Sequence, residues 1–357
     1  MNEHSASVNG ISIYSLTNPN LRSFCLSLYV RAGSIFEDSS NNGISHLFEH
    51  VVFRNIKNKY ENFYELLAMH GLCFQGSTYK KFVSFTIDGP QHEFDFAIEI
   101  LCGLFDEIKL TSHDFNNEKG RIKAEIREKD RRSSLDFYFD SIVWKNSEVE
   151  KIVLGYCKTV DRVSVKKINE FRQKVLSAGN FVYATGNISD ENLDALNKKI
   201  SELDISQSNP GFTNTVTVND EFFHREKKIW IKNNYWHYIQ IGFDVDCSKY
   251  PGGVYDLLYA LLFNGDKALV YNYLSEDNPI IYSYDSAFAQ YDNVGNINFS
   301  FEVDRNKIED VFKTVVELLN AAKDGRFNFE ANLNYEMFNW ELDLDKPSNL
   351  NWNMACY

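Results

Sequence analysis

The chain has no C-x-x-C pair among its six scattered cysteines, Cys25, Cys73, Cys102, Cys157, Cys247 and Cys356. That argues against a cysteine zinc site or a disulfide framework and fits reduced thiols in a cytoplasm. No apolar run approaches the roughly 18 residues of a membrane span. The opening MNEHSASVNGISIYSLTNPN has neither a basic start followed by an apolar stretch nor a small-residue cleavage site. Neither secretion nor membrane insertion is expected, and a cytoplasmic location is. Basic excess is also missing: the formal net charge is −13, which argues against a nucleic-acid partner. The one dense charged run, EKGRIKAEIREKDRR, mixes both signs and reads as a solvated helix face laced with ion pairs.

What is present is enough apolar material for a large core. At 357 residues, with 44% hydrophobic and 15% aromatic content, the chain is long enough for two domains. Strands are expected near GISIYSL and SFCLSLYVRAG, a helix at 43–56, a second helix in ENFYELLAMHG, and strands near CFQGSTY and FVSFTIDG. Long helices follow in QHEFDFAIEILCGLFDEIK and TSHDFNNEKGRIKAEIREKDRR, the latter capped by Thr111 or Ser112. Without regular βαβ alternation, the class expected is α+β.

Around 201–220 the helical period stops and Ser, Asn, Pro, Gly and Thr accumulate, as in a surface linker. The expected division is therefore 1–205 and 206–357. Beyond it the order of the first half begins again, so the fold expected is two tandem homologous α/β units, each an antiparallel-rich sheet packed with helices. When GISHLFEHVVF (43–53) is laid on GVYDLLYALLF (253–263), Gly43 meets Gly253, Leu47 meets Leu257 and Phe53 meets Phe263. The polar residues do not persist: His46, Glu49 and His50 are matched by Asp256, Tyr259 and Ala260. The fold does not require them, which marks them as candidates for chemistry.

On a helix, positions i, i+3 and i+4 share a face, so His46, Glu49 and His50 converge. Histidines at i and i+4 can reach one Zn²⁺, for which catalytic sites usually provide three protein ligands. The carboxylate at i+3 is placed to take a proton from a water that the metal polarises, making Glu49 the expected general base. A third ligand must come from another element. Glu118 and Glu125 stand two helical turns apart in HDFNNEKGRIKAEIREK, and Glu128 lies close to the same face. Spacing alone does not choose among these three.

Together, RAGSIFED, GISHLFEHVVF and an E-x6-E pair about 70 residues later resemble the insulinase, pitrilysin and mitochondrial-processing-peptidase family of inverted-motif zinc proteases. The resemblance covers essentially the whole chain. It implies Glu125 as the third zinc ligand and Glu118 as a carboxylate orienting the site. It also implies zinc in the first unit only, and a chamber that admits short or unfolded peptides. Such peptides would add as a strand along CFQGSTYKK, with Phe74, Gln75, Gly76 and Ser77 as contacts. Gln75 and Gly76 stand where the family commonly has Asn and Ala.

Family members also carry a distant Arg and Tyr, seven apart, that clamp the peptide. Here Tyr282 fills the tyrosine position, but Ser275 stands at the arginine position. The resemblance therefore implies a zinc-bearing subunit whose homologous, zinc-less partner supplies the pair. Absence of the usual final helix or strand after NWNMACY would expose apolar surface, a second reason to expect that partner. The function expected is zinc-dependent endopeptidase, with removal of a leader from a small peptide as the expected task. The alternative, a non-catalytic scaffold or interaction subunit, typically loses part of H-x-x-E-H, which is intact here.

Overall fold

The computed structural model describes residues 1–132, 134–176, 179–205, 216, 218, 222 and 237–356. Most of the expected linker, residues 206–215, lies outside the described residues. The chain is mixed α and β, with sheets packed against helices, and groups into two compact units.

The first unit comprises the described parts of Met1–Arg132, Val149–Asn214 and Leu342–Tyr357. Its strands are β1 (Asn2–Val8), β2 (Ile11–Thr17), β3 (Ser23–Val30), β4 (Cys73–Thr78), β5 (Val83–Pro90) and β6 (Phe181–Gly186). They form one sheet in the order β1-β2-β6-β3-β5-β4. Every pairing is antiparallel except β2 with β6.

The helices α1 (Ile44–Lys57) and α2 (Phe63–Met69) lie between β3 and β4, and α3 (Phe94–Gly103) and α4 (Ser112–Arg132) follow β5. Thr111 caps α4, its Oγ1 accepting from the Asp114 amide at 3.1 Å. After α5 (Ser134–Val143) come α6 (Cys157–Arg162), α7 (Val165–Val175) and α8 (Asp190–Ser201), the last two capped by Ser164 and Ser189.

Strand alternation divides the sheet's two faces. Phe24, Leu26 and Leu28 of β3 and Phe85 and Ile87 of β5 join Leu47, Phe48 and Val51 of α1 and Ala97, Ile98 and Leu101 of α3 in one core. Each fully buried large side chain there contributes about 1.5–3 kcal/mol. The opposite face of β3 is covered by the last helix of the chain. In that helix Asn351 accepts from the Tyr29 hydroxyl at 2.9 Å and donates to the carbonyls of Tyr183, at 2.8 Å, and Cys25, at 3.3 Å. The Thr185 hydroxyl donates to the Pro347 carbonyl at 2.7 Å.

The second unit comprises the described parts of Ser133–Glu148, which holds α5, and Thr215–Glu341. Its elements are β7 (His237–Asp246), α9 (Gly252–Phe263), α10 (Leu269–Tyr271), β8 (Tyr284–Tyr291), β9 (Val294–Val303) and α11 (Ile308–Lys323); α12 (Phe329–Leu344) leads toward α13 (Pro347–Cys356), the helix that covers β3. Phe263, Phe299, Val311, Val315 and Leu318 are central to its core.

Among the described residues the second sheet has the order β7-β9-β8. That is the arrangement of β3-β5-β4 in the first unit, reached by the same succession of strand, helix, helix, strand, strand and helix. Neither unit is a continuous stretch, whereas the division expected from sequence at 205/206 treated both as continuous. The difference lies in residues 133–148, which group with the second unit, and in α13, which groups with the first. No helix among the described residues is long and apolar enough to cross a membrane.

Candidate metal centre

Helix α1 turns Ile44, Leu47, Phe48, Val51 and Val52 into the core. The periodicity that buries this stripe sets His46, Glu49 and His50 along its margin, beside α4 and β4. The helix begins at Gly43, whose φ of 95° is left-handed and where a Cβ would come within 2.9 Å of the Leu154 carbonyl oxygen. Glycine satisfies both demands.

The rings of His46 and His50 stand edge to face, with centroids 4.7 Å apart and planes at 86°. His46 Nε2 lies 3.4 Å from Glu125 Oε2 on α4. His46, His50 and Glu125 each offer a ligand atom, and these three atoms lie within 4.8 Å of one another. Two imidazoles and a carboxylate are a donor set that suits Zn²⁺. The convergence of three ligand atoms from two helices fits a single ion.

Two turns earlier on α4, Glu118 meets the other histidine. Its Oε2 is 3.4 Å from His50 Nδ1, and its Oε1 accepts from Arg54 Nε at 2.7 Å. Only 3% of this side chain is exposed. Burial pushes its pKa up, but the hydrogen bonds from His50 and Arg54 and the charges of Arg121 and Arg54 outweigh that and hold it below the ordinary value. An anion at Nδ1 favours the tautomer with Nδ1 protonated and the lone pair on Nε2. Glu128 is exposed on the same helix.

Glu49 leans the other way, against β4. Thr78 Oγ1 donates to its Oε2 at 2.5 Å. At Gly76 a Cβ would come within 2.9 Å of Glu49 Cγ and 3.1 Å of Oε1, so the missing side chain makes room for the carboxylate. Burial raises the Glu49 pKa; the Thr78 bond and the charge of His50 oppose this, and the neighbouring Glu125 carboxylate adds to it. A carboxylate raised in this way is a better proton acceptor near neutrality.

The other residues singled out from sequence are placed as follows. β4 is an edge strand of its sheet, with β5 on one side and no strand on the other among the described residues. The Phe74 side chain turns into the core, stacked on Phe53 at 4.5 Å and edge-on to Phe63. Only its backbone lies on the sheet edge. Gln75 is exposed and Ser77 half-buried. In the second unit Tyr282 is 95% exposed, and Ser275 lies in the helical turn Asn272–Glu276.

Sequence reasoning missed Arg54 and Thr78. Arg54 continues the i, i+4 series from His46 and His50, and Thr78 continues the strand alternation Phe74, Gly76, Thr78 that faces α1. Both signals were available.

Comparison with known proteins matches this arrangement to one family. A family model described as "Insulinase (Peptidase family M16)" matches residues 13–155, and one described as "Peptidase M16 inactive domain" matches residues 162–331. The chain is 21% identical over 324 residues, 88% of its length and 77% of the relative's, to an uncharacterized zinc protease, YmxG, of Bacillus subtilis. It is 24% identical over 190 residues to the mitochondrial-processing peptidase subunit beta of Saccharomyces cerevisiae, covering 52% of this chain and 41% of that one. The match thus spans less than half of the mitochondrial relative.

A solved protease structure from Helicobacter pylori superposes with a TM-score of 0.82 at 19% identity, over 100% of this chain and 89% of that one. An M16 inactive-domain structure from Pseudomonas fluorescens gives 0.75 at 14% identity, over 91% and 80%. With both family models matched in succession and the H-x-x-E-H helix intact in the first, the chain belongs to the insulinase family of peptidases, M16.

Proposed function

We propose that the chain is a zinc-dependent endopeptidase acting on short or unfolded peptides, with His46, His50 and Glu125 holding the metal. The observation that carries this reading is the convergence of those three ligand atoms within 4.8 Å beside a carboxylate on the same helix face. Zinc bound there would supply a Lewis acid that polarises water and the scissile carbonyl. Glu49 takes the proton of the attacking water at Oε1, the oxygen not engaged by Thr78, and delivers it to the departing amine. Glu118 fixes the His50 ring through Nδ1 and is itself held by Arg54. An extended peptide docks along the open edge of β4, where backbone groups of Phe74, Gln75, Gly76 and Ser77 make main-chain hydrogen bonds with little sequence demand.

Because Ser275 stands where an arginine would pair with Tyr282, a homologous zinc-less partner supplies the Arg/Tyr clamp. The naming of matched relatives as mitochondrial-processing peptidase beta subunits favours such an arrangement. The free thiols suit a cytoplasmic enzyme, and maturation of a small peptide is the task proposed for it.

The test is Glu49→Gln. Purified wild-type protein, co-expressed with a candidate partner, should hold about one zinc per chain and cleave unfolded peptides. The variant should keep the zinc and lose cleavage. Cleavage persisting in the variant would remove Glu49 from its role, and wild type that takes up no zinc would favour a scaffold instead.

A further inference from the structure

Helix α1 is not capped by its own N-cap residue: Gly43 has no side chain to offer, and no side-chain bond closes this end from that position. The task falls to Glu37, six residues upstream. Its Oε2 accepts from the Gly43 amide at 2.7 Å and from Asn42 Nδ2 at 2.8 Å, and its Oε1 accepts from the Ser45 amide at 2.8 Å. The residue is 5% exposed. Its surroundings are themselves tied down. Asn42 also donates to the Ile152 carbonyl at 2.9 Å, the Thr159 hydroxyl donates to the Asn42 carbonyl at 2.5 Å, and Ser45 Oγ accepts from the Gly33 amide at 2.9 Å.

A cap by itself does not need a charge. Helices α4, α7 and α8 use the neutral hydroxyls of Thr111, Ser164 and Ser189, and a buried carboxylate carries a desolvation cost that a hydroxyl avoids. What a carboxylate adds is negative potential; burial raises the Glu37 pKa, and the hydrogen bonds from Gly43, Ser45 and Asn42 oppose that rise and favour the anion. A helix N-terminus carries roughly half a positive charge, felt within the first turn. His46 sits in that turn, directly after Ser45. Uncompensated, the helix end would oppose a divalent cation on His46.

We propose that Glu37 is a positioning residue for the metal centre: its carboxylate anchors the start of α1 and offsets the positive helix end, which strengthens zinc binding at His46. The inference rests on the zinc reading given above.

The test uses the full chain, stripped of metal and titrated with zinc against a chromophoric chelator, with thermal melts of each metal-free sample. Glu37→Gln keeps the shape but removes the charge and places an NH₂ against a donor; zinc binding should weaken about tenfold. An affinity within twofold of wild type, even with a lowered melting temperature, would reduce Glu37 to a structural cap and overturn the proposal. If that variant does not fold, Glu37→Asp, which withdraws the charge by one methylene, should bind zinc at least about threefold more weakly, and unchanged affinity there overturns it equally. Loss of zinc binding in wild type as well would instead remove the zinc reading itself, so the two failures are distinguishable.

Discussion

Thr78→Val replaces a hydroxyl by a methyl of nearly equal size and leaves the β4 backbone alone. It removes the 2.5 Å hydrogen bond to Glu49 Oε2. A hydrogen bond to an ionised group is worth about 1.5–3 kcal/mol, and one pKa unit corresponds to about 1.36 kcal/mol. Glu49 is half-buried, so water recovers part of the loss, and an upward shift of about one unit is expected. The sign follows from which form Thr78 stabilises: the hydroxyl donates to the anion, so its loss favours the protonated acid, adding to the rise that burial already causes.

Since Glu49 must be ionised to act as base, the acidic limb of kcat/KM should move to higher pH by about one unit. Below that limb, activity should fall about tenfold relative to wild type. Thr78→Ser keeps the hydroxyl and should restore the wild-type profile. The assay is cleavage of a quenched fluorescent peptide from pH 5 to 9, with zinc content measured on each sample. An acidic limb that stays in place in the valine variant, with zinc retained, would refute the reasoning.

Two further outcomes follow from the same geometry. Glu118 has a folded-state pKa below its ordinary value of 4.5, so its contribution to stability is present above that value and is lost as pH falls through the lowered one. Glu118→Gln should cost about 2 kcal/mol at neutral pH in the metal-free protein, and melts from pH 7 to 3.5 should show the gap to wild type closing at the acid end. Phe48 is fully buried between α1 and its neighbours, and Phe48→Ala should lower unfolding stability by about 3–5 kcal/mol in denaturant titration.

The residues most legible in the sequence were those whose meaning depends on local periodicity. His46, Glu49 and His50 share a face because of helix geometry alone, and the apolar frame around them made that face credible. The repeat of Gly253–Phe263 was visible for the same reason, and the shared strand order β3-β5-β4 and β7-β9-β8 extends it to topology. Choosing between Glu118 and Glu125 was beyond spacing, because two residues two turns apart are equivalent until another helix crosses them. The crossing gives Glu125 to His46 and Glu118 to His50 and Arg54.

The role of Glu37, within the stretch RAGSIFED, was hidden for a different reason. Two of its three partners are the backbone amides of Gly43 and Ser45, which leave no trace in residue identity. The return of α13 to the first unit was equally silent, since Asn351 binds main-chain carbonyls of Cys25 and Tyr183 that any residue would present.

That return has a consequence for how the protein is made. Thr185 on β6 meets its partner Pro347 only across 162 residues of chain. At about 5–20 residues per second, a ribosome needs roughly ten to thirty seconds to translate that interval. Throughout it, one side of the nascent six-stranded sheet stays wet and β3 waits for its lid. Vectorial synthesis therefore completes the unit that carries the candidate metal centre last, after the second unit has emerged.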